Sequence, residues 1–223
     1  MKLVWIPPGE FLMGSPENEP GRSSDEGPQH RVTFTNGFYM GATEVTQAQW
    51  KAVMRDNPSY FKGDDLPVEQ VSWDDCQIFL KKLSEKEGKT YRFPMEAEWE
   101  YACRAGATTR YCFGEDDREL GVYAWFDGNS GSQTHPVGTK KPNAFGLFDM
   151  HGNVWEWCQD LYLDEYFKQN MAVPVGSNCG KFRVLRGGSW GNPPGFCRSS
   201  GRGSEHPADR YRRRGLRVVV ASP

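Results

Sequence analysis

No apolar stretch in this chain approaches the ~20 residues that span a bilayer. The opening Met1-Lys2-Leu3-Val4-Trp5-Ile6-Pro7-Pro8 is too short, and too soon broken by proline, for a secretory leader, and no compartment is read from it. Charge of one sign is lacking: 27 Lys and Arg against 29 Asp and Glu leave −2, which argues against bulk electrostatic binding to nucleic acid. Six cysteines (Cys76, Cys103, Cys112, Cys158, Cys179, Cys197) show no CxxC spacing and so give no zinc signature. Cys76 and Cys103 fall on apparent helix faces and read as buried thiols. The four histidines, His30, His135, His151 and His206, are dispersed and support no Ser-His-Asp arrangement. Gly187-Gly188 lacks the GK[ST] and following helix of a phosphate loop.

The most specific absence is local. From Gly191 to Arg217 there is no Lys, Gln, Met or Trp, and the one Glu is Glu205. Gly, Asn, Pro, Ser, His, Asp, Tyr, Phe, Cys and seven arginines stand there instead. No period of 2 or 3.6 runs through it, so it reads as a long ordered loop, and such loops in compact domains are usually functional. The segment before it, Arg183 to Trp190, reads as rigid: Val184 and Leu185 suit a buried strand, the Gly pair a tight turn, and Trp190 a core anchor.

What is present elsewhere is a core of large aromatics cut by turns. The hydrophobic fraction is 37% and the aromatic 13%, while 25 Gly and 15 Pro limit long helices. Val4–Ile6 and Glu10–Gly14 read as a strand pair around Pro7-Pro8-Gly9, and Arg31–Phe34 with Phe38–Met40 as a hairpin on Asn36-Gly37. Thr46 caps a helix with Trp50, Val53 and Met54 inward. Ser72 caps a second, with Trp73, Cys76, Phe79, Leu80 and Leu83 inward, ended by Gly88. Asp74-Asp75 in its first turn is explained by the helix dipole. Tyr91–Phe93 is a short strand, and Glu96–Arg104 a third helix closed by Gly106. Val154–Cys158 alternates, with Trp155 and Trp157 on one face. Arg183–Leu185 and Leu216–Ala221 are further strands. No linker interrupts residues 1–223, so the chain reads as one loop-rich α+β domain.

Several segments in order carry a resemblance: Gly9-Glu10-Phe11-Leu12-Met13-Gly14, Glu44-Val45-Thr46, Phe93-Pro94 with Glu96-Ala97-Glu98-Trp99-Glu100, Asn143 to Met150, Gly152-Asn153-Val154-Trp155-Glu156-Trp157, Arg186-Gly187-Gly188-Ser189-Trp190 and Gly215-Leu216-Arg217. Nearly end to end, the chain resembles the formylglycine-generating enzyme, or sulfatase-modifying factor, domain family. The resemblance implies a C-type-lectin-like fold: small antiparallel sheets, two or three helices, long loops, and N- and C-terminal strands side by side. The family's enzymes oxidise a sulfatase cysteine with copper held by two thiolates. The positions matching those cysteines are Asn192 and Cys197, so the resemblance leaves one thiolate and an amide, and no copper is expected. The family also holds Ca²⁺ at positions matching Asp149, Gly152, Val154 and Glu156, a hard-oxygen set. The pair matching its second calcium site, Tyr123-Ala124, begins with a poor ligand.

The departure at Asn192 resembles a different use of this fold, the variable proteins of diversity-generating retroelements. In these, adenine-specific mutagenesis of asparagine codons reaches Gly, Asn, Pro, Phe, Cys, Ser, His, Asp, Arg and Tyr, but not Lys, Gln, Glu, Met or Trp. Gly187–Trp190 before and Gly215–Val219 after look like the fixed borders of such a region. The implied function is non-enzymatic binding through residues 191–217. The contact residues would be Asn192, Pro193, Pro194, Phe196, Ser199, Ser200, Ser204, His206, Tyr211, Arg212 and Arg213, types that adaptable binding loops favour. The ligand would be a macromolecule, a protein surface, met by a monomer. The competing expectation is a formylglycine-generating oxidase or a related metal-dependent sulfatase-modifying enzyme.

Overall fold

The computed structural model describes residues 1–162 and 181–221; Cys179 lies outside them. Its strands are β1 (Leu3–Ile6), β2 (Gly9–Met13), β3 (His30–Phe34), β4 (Phe38–Gly41), β5 (Tyr91–Arg92), β6 (Trp155–Leu161), β7 (Arg183–Arg186), β8 (Arg202–Glu205), β9 (Arg214–Gly215) and β10 (Val219–Ala221). The helices are α1 (Gln47–Met54), α2 (Trp73–Glu87), α3 (Glu96–Arg104) and the short α4 (Leu120–Tyr123). Three small sheets result, ordered β1-β4-β10-β5, β2-β3 and β8-β7-β6-β9. This is the loop-rich α+β, C-type-lectin-like architecture that the resemblance implied.

Helix boundaries follow local chemistry. Thr46 and Ser72 accept bonds from the backbone N–H of Gln49 and Asp75, and Gly88 closes α2 in the left-handed region at φ 66°. The apolar face of α2 is buried as its spacing dictates. Its Phe79 stacks on Trp50 of α1 at 4.9 Å, and Trp73 on Phe93 at 5.0 Å. Trp155 and Trp157 join that cluster, while Cys158 faces the other, built on Ile6, Phe38, Trp99 and Met150.

Five expectations are corrected. β1 pairs with β4 and β2 with β3, so neither the β1–β2 pair nor the β3–β4 hairpin exists. Pro7-Pro8 carries no N–H to pair, and Gly37 serves a close approach instead of a hairpin turn: a Cβ there would lie 2.4 Å from the Trp5 ring. The terminal strands are not neighbours, because β4 lies between β1 and β10. The strand expected over Leu216–Ala221 is confined to β10, which pairs antiparallel to β4 and β5, while the short β9 that precedes the expected span pairs parallel to β6. The 191–217 run is not all loop, since β8 extends the third sheet through β7. This last point sets the site, for it brings the run onto a sheet face floored by β6 and β7.

Candidate functional site

Arg186 organises the loop that follows it. Its side chain is fully buried. It pairs with Glu100 and donates to three backbone carbonyls of the run: Ser200 at 2.8 Å, Gly201 at 2.7 Å and Ser199 at 3.0 Å. Glu100 also accepts from Arg104 and from the Gly14 N–H, both at 2.9 Å. Burial works against its charge, but the Arg104 and Arg186 guanidinia outweigh it and hold the carboxyl below its usual range. The two glycines after Arg186 are required: both sit at positive φ, 98° and 71°, and a Cβ on Gly188 would lie 2.7 Å from the Cys197 sulfur. Trp190 is buried as expected, its indole N–H donating to the Arg212 carbonyl at 3.0 Å.

Other anchors also reach the backbone of the run. The N–H groups of Gln70, Trp155 and Asp74 donate to the carbonyls of Tyr211, Arg213 and Pro207, and Ser199 N–H donates to Arg110 O at 2.7 Å. Bonds to main-chain atoms survive a change of side chain. These bonds hold the path of the run through its main-chain atoms.

The side chains of the run divide into two sets. Three arginines are framework: Arg198 pairs with Glu26 at 2.7 Å, Arg202 with Glu96 at 2.7 Å, and Arg217 with Glu156 at 2.7 Å, all buried. Cys197, Ser199 and Ser200 are buried as well. Ser199 and Ser200 therefore do not belong to a binding face, which corrects the sequence expectation: their carbonyls point at Arg186 and their side chains at the interior. Asn192 is half-buried and tied, its Oδ1 accepting from Trp155 Nε1 at 2.9 Å and Ser189 Oγ at 2.5 Å.

Pro193, Phe196, His206, Tyr211, Arg212 and Arg213 are exposed, with Pro194 and Ser204 partly so. Some of them border two clefts of about 310 Å³ each. Asn192, Ser204, Tyr211 and Arg213 line one, over Trp155 and Leu185. Pro193 and Phe196 line the other, facing the 21–26 loop. Pro194, His206 and Arg212 line neither.

The donor set at the copper positions does not suit Cu(I). Cys197 is the one thiol at these positions, and burial pushes it up to about 12, while the Asn192 amide oxygen, a hard and neutral donor, is spent on Trp155 and Ser189. Nearby Cys112 is likewise pushed to about 12 by burial. His151, lowered to about 4 by burial, stays neutral, donating from Nδ1 to Cys197 O at 2.7 Å and accepting Cys112 N–H at Nε2.

Of the expected calcium positions, Asp149 and Glu156 come together, in a cluster whose other members the sequence reading missed. Asp149 and Glu156 share a buried cluster with Glu44 and Arg217. Both Glu156 oxygens accept from Arg217, and Oε2 also from Trp99 Nε1 at 2.7 Å. Asp149 accepts Gly138 N–H at 2.7 Å on one oxygen; its other oxygen and both of Glu44 have no donor. Three carboxylates face one guanidinium, so burial and mutual repulsion raise Glu44 well above its ordinary value, and burial raises Asp149 to about 6. The orphaned oxygens fit a hard cation, whereas Glu156 is already engaged by Arg217. Among the described residues no group of three or more His, Cys, Asp or Glu side chains is arranged to hold a metal ion.

Residues 1–222 match the sulfatase-modifying factor enzyme 1-like domain, and the chain belongs to that family. It is 35% identical to the formylglycine-generating enzyme of Streptomyces coelicolor over 260 residues, 87% of this chain and 80% of that protein. Its structure is similar to PvdO from Pseudomonas aeruginosa, with a TM-score of 0.90 and 34% identity over 99% of this chain and 94% of that one. It is as similar to Treponema denticola variable protein 1, with a TM-score of 0.89 and 30% identity over 99% and 95%.

Proposed function

We propose that this protein is a non-enzymatic ligand-binding module of the retroelement variable-protein type, whose binding face is the exposed part of the 191–217 run. The observation that carries the reading is the main-chain anchoring of the run. Arg186, Trp190, Gln70, Asp74 and Trp155 grip its carbonyls, leaving Phe196, Ser204, His206, Tyr211, Arg212 and Arg213 free to differ. The composition of the run and the likeness to Treponema denticola variable protein 1 support it. The partner is a protein surface, bound by a monomer. The test is a library randomised at those six positions and displayed on the unchanged frame. Most members should fold, and selection against unrelated proteins should return binders. A library that is mostly unfolded would end the reading.

The oxidase reading rests on the similarity to formylglycine-generating enzymes, and the Asn192–Cys197 pair weighs against it. Purified protein with Cu(I), oxygen, reductant and a sulfatase-motif peptide is expected to give no formylglycine by mass spectrometry. Aldehyde above a copper-only control would restore the oxidase.

Calcium enters as a structural ion at Asp149, Gly152, Val154 and Glu156, with Glu44 as an added oxygen donor. Binding to the folded state alone raises the thermal midpoint. A calcium-dependent rise that Asp149→Asn removes is the expected result. Equal midpoints in calcium and in chelator would leave the cluster to Arg217 and protons.

A further inference from the structure

The cleft over β6 and β7 has a charge pattern that specifies a ligand, provided the face is a binding face as proposed above. Its floor is the Trp155 ring and Leu185, with Gly203 of β8 beside them. A Cβ on Gly203 would lie 3.3 Å from the Trp155 ring, so glycine at this position keeps the indole open to the cleft. On the rim, Arg214 lies over the Tyr211 ring at 3.8 Å and pairs with Glu205 at 2.5 Å. That pairing leaves the other Arg214 terminal nitrogen, Nη1, buried with no acceptor. Arg213 is exposed; its guanidinium makes one long hydrogen bond, 3.5 Å to the Gly191 carbonyl, and lies 5.8 Å from the centroid of the Trp190 ring. Neither Arg212 nor Arg213 has a salt bridge among the described residues. The other exposed arginine of the run, Arg210, is paired with Asp75.

Two guanidinium groups, Arg213 without a carboxylate and Arg214 held by Glu205, stand against that single carboxylate in the lining, and this excess of positive charge beside the Trp155 ring favours an anion with an attached apolar stem. A volume of about 310 Å³ is at the lower end for a small-molecule pocket and suits one inserted side chain. We infer that the cleft takes a glutamate or aspartate side chain projecting from a protein partner. Its carboxylate meets the exposed Arg213, with the positive charge of Arg214 behind it, and its methylenes lie on Trp155 and Tyr211.

The probe is acetyl-Gly-Glu-Gly-amide, titrated against ¹⁵N-labelled protein while the Trp155 indole N–H resonance is followed. The expected result is saturable binding in the millimolar range that weakens with salt. It should fall at least tenfold for the Gln peptide, for Arg213→Gln, and for Gly203→Val, which places a side chain over the floor. Arg213 is exposed, so its variant folds and the comparison holds. Binding of the Gln peptide equal to that of the Glu peptide, no binding of either, or an Arg213→Gln variant that binds like the parent would overturn the assignment. So would inorganic phosphate binding tighter than the Glu peptide, which would make the cleft an oxyanion site. If these titrations fail while the randomised library still yields binders, the carboxylate inference falls and the binding reading stands.

Discussion

Arg186→Met is expected to lower the unfolding free energy by about 3–5 kcal/mol, the range found when one partner of a buried ion pair is removed. The substitution keeps most of the side-chain volume. It leaves Glu100 with Arg104 as its remaining charge partner, and it strips the carbonyls of Ser199, Ser200 and Gly201 of their shared donor. The loss should be read by urea denaturation beside a variant carrying Ser at Phe196, His206, Tyr211 and Arg213. Those four side chains are exposed, and such changes usually stay within about 0.5 kcal/mol each. The contrast is the result that matters. If the four-serine protein unfolds while Arg186→Met is mild, the run is held by its side chains and cannot serve as an interchangeable surface.

Arg217→Met should cost a similar amount, about 3–5 kcal/mol, and its cost should depend on pH. Arg217 is the guanidinium that offsets Glu44, Asp149 and Glu156. Asp149 already titrates at about 6 in the fold because of burial, above the ordinary value of a free aspartate, and Glu44 is raised well above its own. A carboxyl raised on folding binds its proton more tightly in the native state. Its contribution is therefore least unfavourable below the unfolded value, near ~4, and stability declines as pH rises through the folded value. Without Arg217 both groups move higher still. The variant should thus be closest to the parent at pH 5 and furthest from it at pH 8. A pH-independent difference in unfolding midpoint would mean that Arg217 acts through packing and its bonds to the Gly41 and Phe148 carbonyls, not through charge.

These two arginines mark what the sequence carries by itself. Local chemistry determined the helices: Thr46 and Ser72 are caps by residue type, and α2 shows its buried face in its spacing. The segment motifs placed the chain in its family, and the composition of 191–217 set that run apart from the rest of the chain. Asn192 in place of a thiol ligand was legible from one position. The tertiary structure decided which of the run's seven arginines face outward. Arg198, Arg202 and Arg217 look like Arg212 and Arg213 in sequence. Their carboxylates, however, lie 172, 106 and 61 residues away along the chain, at Glu26, Glu96 and Glu156. No local period encodes such a separation, so burial of a charge emerges only when the strands are in register. The same holds for Glu44, which joins Asp149 across the fold, and for the pairing of β1 with β4, which follows from where the proline turn sends β2. Ser199 and Ser200 are polar residues in a polar run, and only their place under Arg186 shows that it is their backbone, not their side chains, that the protein uses.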